Sequence, residues 1–262
     1  MKKLLAIIIA ASTLMLSCSD DDDETPLVAD FSASIVGESP NAELVIINNS
    51  TGASSYSWEF SEGASVATST DQTPSEITID KAGNFEITLT AISGSNEDQS
   101  TTTLSINGNS AILEFSDVEF GIEEGDATYG RFFSIEDGVV YTDSQISEEN
   151  GASVNITFGS FGSSVNFFES PASSNFYIPN ATETYFINYQ SEVIMTADDF
   201  DAMDDDEELS EFTVTQDDGE GFSSNSIPNV ILFQTEAGRK GAIKTKNRDS
   251  ERLLVDIKVQ KY

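Results

Sequence analysis

The sequence reads as an all-β protein of two successive β-sandwich-type domains, with one short helix in the second. Three features carry that reading. Apolar and polar residues alternate with a period of two along most of the chain, as in "FEITLTAI" and "RLLVDIKVQ". Clusters of Gly, Asn, Asp and Ser interrupt these runs at roughly 8 to 12 residue intervals. A helix-like start is found in one segment, "TADDFDAMDDDEELSEF".

Residues 1–17 precede the folded part. Lys2 and Lys3 form a positive start, and Leu4 to Leu16 is apolar apart from Ser12 and Thr13. That run is short of the roughly 20 residues a spanning helix needs, and its order is that of a secretory signal peptide. It closes in Leu14-Met15-Leu16-Ser17-Cys18, which resembles the lipobox of bacterial lipoproteins. The resemblance implies cleavage before Cys18, acylation of its thiol and new amino group with palmitate-type chains, and a membrane as the first partner. A lone thiol has no intramolecular disulfide partner, and several acyl chains on one residue suffice for stable anchoring. The alternative is a plain secretory signal followed by an incidental cysteine. Residues 18–26 then form an acidic tether, in which Asp20 to Glu24 stay out of a membrane and extend the chain by repulsion. Ser19-Asp20-Asp21-Asp22-Asp23 resembles the export signal of Bacteroidota surface lipoproteins. The localisation this implies is the outer membrane, facing the cell exterior.

Charge and composition exclude several functions. The chain holds 12 basic and 46 acidic residues, for a net charge of −34. Nucleic-acid binding through phosphate neutralisation needs a basic face, so no such partner is expected. There is no histidine. That removes histidine-activated nucleophiles and the usual zinc sites, and no cofactor, metal or catalytic residue is assigned. A carboxylate pair of the glycosidase type or a Ser-Lys arrangement stays open, although so many acids make chance carboxylate pairs common.

Residues 27–107 form the first domain. "ADFSASI" and "AELVIINNS" are strands ending at turn residues, and "SYSWEF" puts Tyr56, Trp58 and Phe60 on one face. "FEITLTAI" turns Phe85, Ile87, Leu89 and Ala91 inward, and "TTTLSIN" closes the set. Trp58, flanked by aromatics on its own face, is expected between the two sheets. "NSTGASSYSWEFSEG" followed by "TPSEITIDKAGNFEITLTA" resembles a PKD domain, an immunoglobulin-like sandwich. The family's Trp-Asp-Phe-Gly-Asp-Gly core stands here as Trp58-Glu59-Phe60-Ser61-Glu62-Gly63. The resemblance implies a module that spaces, presents or binds.

Gly108-Asn109-Ser110 links to the second domain, residues 111–262, expected as a β-sandwich or jelly-roll-like unit. "ILEFSDVEF", "FFSIEDGVVYT", "ASVNITFG", "SSVNFFES", "FYIP", "TYFINYQ" and "EFTVTQ" read as strands, with Asp137-Gly138 and Asp218-Gly219 as hairpin turns. The C-terminal "IPNVILFQTEAGRKGAIKTK" and "RLLVDIKVQ" read as three consecutive antiparallel strands. Thr196, three residues before Asp199, starts a short helix near Ala197 to Met203. The acids of 198–208 invite calcium, but Met203 stands where an EF-hand needs Asp or Asn, so solvated charge is the preferred reading.

Aromatics crowd Phe158 to Tyr189. Adjacent pairs on a strand face opposite ways, so some must point outward. Tyrosine tolerates that best because its hydroxyl stays wet, which makes Tyr177, Tyr185 and Tyr189 candidates for a ligand-stacking platform. Cover by a loop or the other domain is the competing reading. Eight basic residues fall between Arg239 and Lys261, read as edge-strand protection and local neutralisation rather than a site for an acidic ligand. The leading function is non-enzymatic glycan binding at the cell surface, as an accessory to polysaccharide capture. The alternatives are an adhesion module for envelope proteins and a carboxylate-pair glycosidase.

Overall fold

The computed structural model describes residues 25–122, 126–161, 164–217, 221–223 and 226–262. Cys18, Ser19, Asp20, Asp21, Asp22 and Asp23 lie outside the described residues, as does the Asp218-Gly219 turn.

Seven strands build the first sandwich: β1 (Phe31–Val36), β2 (Ala42–Asn48), β3 (Ser55–Phe60), β4 (Thr68–Ser69), β5 (Ile77–Ile79), β6 (Gly83–Ser93) and β7 (Asn96–Ile106). They pair antiparallel in two sheets, ordered β1-β2-β5 and β4-β3-β6-β7. The longest hairpin is β6–β7, in register from Gly83↔Ile106 to Ser93↔Asn96. Its two-residue turn needs a left-handed start, and Gly94 supplies it with φ +62°. The inward side chains of β6 are fully buried, as is Trp58. The Trp58 ring meets Phe31 edge-on at 5.2 Å, and its Nε1 donates to the Asp71 carbonyl at 2.9 Å. A ring buried with its one polar atom satisfied is what holds the two sheets together.

The second sandwich begins with β8 (Ile112–Gly121), α1 (Asp126–Tyr129), β9 (Phe132–Ser134), β10 (Val139–Tyr141), β11 (Val154–Phe161), β12 (Val165–Glu169) and β13 (Thr184–Ile187). It continues with α2 (Ala197–Ala202), α3 (Glu207–Ser210), β14 (Phe222–Ser223), β15 (Val230–Thr235), β16 (Lys240–Arg248) and β17 (Arg252–Gln260). Its two five-stranded antiparallel sheets are ordered β13-β15-β16-β17-β8, the terminal sheet, and β10-β9-β11-β12-β14, the central sheet. Between them Phe120, Phe133, Phe158, Phe168, Phe186 and Phe233 pack with Leu253, Val255, Ile257 and Val259. The four aliphatics of β17 share a face, as their spacing requires.

Both outer faces are partly covered. On the terminal sheet, α2 and α3 lay Phe200, Met203 and Leu209 over Leu232 and Ala242. On the central sheet, loops 142–153 and 171–181 bring Ile146, Phe176 and Ile178 onto Phe132 and Val154.

Four expectations change. "FYIP" is a loop: Ile178 is drawn into the cover over Phe132, and Gly151 packs on the Pro179 carbonyl. "EFTVTQ" joins no sheet, since Phe212 and Val214 pack under the helices and the Val214 N–H is satisfied by the Gln234 side chain at 2.9 Å. The one short helix expected, near Ala197, is followed by a second, α3, and α1 is a further addition. The basic residues lie largely on β16 and β17, interior strands of their sheet, so edge protection is not their role. They neutralise neighbours instead: Arg239 pairs with Glu136, Lys244 with Asp201, Lys246 with Asp117 and Asp256, and Arg252 with Glu119.

The two sandwiches meet at Asp80, just past β5. Its carbonyl accepts the Ala111 N–H at 2.8 Å, and its carboxylate accepts Lys261 Nζ at 2.6 Å and the Tyr262 hydroxyl. Asp206 takes the linker Ser110 N–H at 2.6 Å.

Candidate functional site

The central sheet turns alternate residues of β11 and β12 outward in directly opposed pairs: Thr157 with Glu169, Gly159 with Phe167, and Phe161 with Val165. Their inward neighbours, Ile156, Phe158 and Phe168, fill the core. The Thr157–Glu169 end adjoins Phe132, which is covered by the loops. The other end is open. Phe161 is 64% exposed and Val165 38%, while Phe167 is half-buried.

Gly159 makes this surface possible. A β-carbon there would lie 2.4 Å from two ring carbons of Phe167, so the ring lies directly over the glycine backbone. Gly221 approaches from just before β14, where a β-carbon would meet Val165 at 2.7 Å and Phe167 at 3.5 Å. Phe161 sits 5.4 Å from Phe167 at a 32° tilt. Two rings side by side, that of Phe167 on a glycine floor, form an apolar platform, the shape on which another flat apolar face can lie.

A polar cluster borders it. Burial pushes the Glu169 carboxyl up to about 7, the positive charge of Arg131 draws it down, and Asp217 pushes it up again. Arg131 is itself buried, lies over the Phe176 ring at 4.2 Å and binds Asp143 at 3.0 Å. Asp217 accepts the Phe186 N–H at 2.9 Å. The Thr157 hydroxyl, on the face of Glu169, is buried without a hydrogen-bond partner. A carboxyl that is half protonated near neutrality both donates and accepts hydrogen bonds.

The three tyrosines do not form one platform. Tyr177 is 84% exposed on the loop whose Phe176 and Ile178 cover the central sheet, so it stands on the same side as Phe161 and Phe167. Tyr185 packs among the residues beneath α2, on the opposite side of the sandwich. Its neighbour Phe186 is fully buried between the sheets, which forces Tyr185 the other way. Tyr189 is 56% exposed and borders a separate cleft of about 320 Å³ with Gln190, Val193, Thr196 and Asn229. The rings that do come together are phenylalanines, Phe161 and Phe167, which have no hydroxyl to keep wet. Gly159, opposite Phe167 in a hairpin, was the available signal.

The acidic 198–208 segment is occupied by structural work. Asp199 caps α2 with Thr196, Asp201 pairs with Lys244, and Asp205 and Asp206 hold the linker through Asn109 and Ser110. Among the described residues no group of three or more carboxylates or thiols is placed to hold a metal ion.

A PKD domain is found at residues 30–106, the first sandwich. PKD domains are modules of extracellular adhesion and binding, and this places the protein among β-sandwich proteins that carry one. Comparison with curated proteins and with solved structures finds no match.

Proposed function

We propose that this protein is a non-enzymatic lipoprotein of the outer cell surface that binds glycan as an accessory to polysaccharide capture. Cys18 is its acylated anchor, and Ser19, Asp20, Asp21, Asp22 and Asp23 its export signal. The PKD sandwich holds the second sandwich away from the membrane. The observation that carries the ligand is the open face of the central sheet. Phe161 and Phe167 offer rings to the apolar face of a sugar, the Glu169 carboxyl on the same face adds a hydrogen-bonding group, and the exposed Tyr177 stands on the same side of the sheet. The net charge of −34 disfavours anionic polymers and leaves neutral or cationic glycans.

The test is a glycan array probed with the Cys18→Ser protein, whose substitution removes the lipid. Neutral or cationic glycans should bind, and Phe161→Ala combined with Phe167→Ala should weaken the best of them by about tenfold or more at unchanged melting temperature. Tyr185→Ala is the control away from the site. An array without ligand overturns the reading, and release of reducing sugar from the same glycans would establish the glycosidase alternative. For the address, protease applied to intact cells should degrade the protein, and Cys18→Ala should release it from the membrane fraction.

A further inference from the structure

The first sandwich has an unfilled strand position. β5 pairs with β2 only at Ala42, Glu43 and Leu44, whereas β1 pairs with β2 along its whole length to Asn48. The backbone direction of β2 follows from its ends. The Asn49 N–H donates to Asp30, so odd-numbered residues face β1 and even-numbered residues face the β5 side. Ala42 and Leu44 meet β5, and the N–H and C=O of Ile46 point past its end with no strand opposite them. Glu76, with φ +58°, turns the chain away just before β5, and Pro74 in that segment has no N–H to offer. The result is a cleft of about 410 Å³ between Leu44–Ile46 on one side and Thr73–Glu76 on the other. Its far end is closed by Asn48, whose Nδ2 donates to the Gln72 carbonyl.

We infer that this cleft receives an extended, basic segment of another protein, added to the β2 edge as a short strand. Ladder hydrogen bonds to Ile46 supply the backbone recognition of strand addition. Val45 and Ile47, 44% and 58% exposed beside the edge, offer apolar neighbours to alternate side chains of the incoming strand. The sign of the partner comes from Glu43 and Glu76, both exposed where they line the cleft. A second copy of this chain carries the same charge of −34 and is repelled, and the acidic run Asp20 to Glu24 is repelled likewise. The face is separate from the Phe161–Phe167 platform and independent of any glycan.

Three synthetic probes test it against the Cys18→Ser protein: a hexapeptide alternating lysine with valine and threonine, its glutamate counterpart, and the lysine peptide with a central proline. The lysine peptide should bind and slow amide exchange at Ile46, with the other two weaker by about tenfold. Glu76→Lys combined with Glu43→Lys should invert the preference toward the glutamate peptide, which a merely unfolded variant would not do. Equal binding of all three probes, or no protection of the Ile46 amide, overturns the inference. So does an Ile46 edge protected by dimerisation without any peptide.

Discussion

Trp58 and Glu169 show how far single residues carry meaning. Trp58 is fully buried, ring-packed on Phe31 and hydrogen-bonded to Asp71. Trp58→Ala leaves a large cavity and strands the Asp71 carbonyl, so the first sandwich should lose about 3–5 kcal/mol, read by denaturant unfolding of that domain. Its place between the sheets was legible in "SYSWEF", because aromatics two apart share a face. Glu169 was not legible, since burial and the approach of Arg131 and Asp217 come from distant segments. In the folded chain it keeps its proton to about pH 7, while unfolded it ionises near 4.5. The folded state thus holds more protons between those values, and stability falls as pH rises through that window, with the penalty complete above 7. Glu169→Gln should flatten the profile and gain about 1–2 kcal/mol above pH 7, a figure already reduced for its half-exposed position. Thermal unfolding of both proteins from pH 4 to 8 checks it.

Among elements, α2 was readable because its start is local chemistry. The Thr196 hydroxyl accepts the Asp199 N–H at 3.1 Å, and the Asp199 carboxylate returns to the Thr196 N–H at 2.8 Å. The Thr196 hydroxyl also donates to the Asp199 carboxylate at 2.7 Å, and that bond, followed by the one from the Thr196 N–H, holds the Asp199 carboxyl below its ordinary range. Thr196→Ala should cost about 1 kcal/mol, measured by denaturant unfolding, and speed amide exchange in α2. The segments "FYIP" and "EFTVTQ" were misread for the opposite reason. Each reads as a strand in sequence, but its apolar residues are buried by packing on helices or loops rather than by pairing with a strand. Phe212 and Val214 are buried against the helices, and Ile178 against Phe132. Alternation states that one side of a segment is buried; whether the burying surface is a sheet partner or a covering loop depends on distant residues.

The whole molecule turns on the contact between sandwiches. Asp80 gathers Lys261, Tyr262 and the Ala111 N–H, and the attraction of Asp80 raises the Lys261 ammonium above its usual range. Asp80→Ala removes the Lys261 and Tyr262 contacts but keeps the backbone bond to Ala111, so it should loosen the joint with each sandwich folded, giving faster proteolysis at Gly108-Asn109-Ser110 and a broader distribution of sizes in small-angle scattering. The local chain chemistry established that the protein is all-β and which side chains point into the first core, while the likeness of 27–107 to a PKD domain rested on a family resemblance that the family match at residues 30–106 then supported. The first two are properties of neighbours in sequence: a period of two, a turn glycine, a cap. The pairing of Phe161 with Phe167 over Gly159, the division of the tyrosines between two sides, and the empty strand position beside Ile46 followed from assembly alone. Each depends on which segments, far apart in the chain, come to lie side by side, and periodicity carries no information about that.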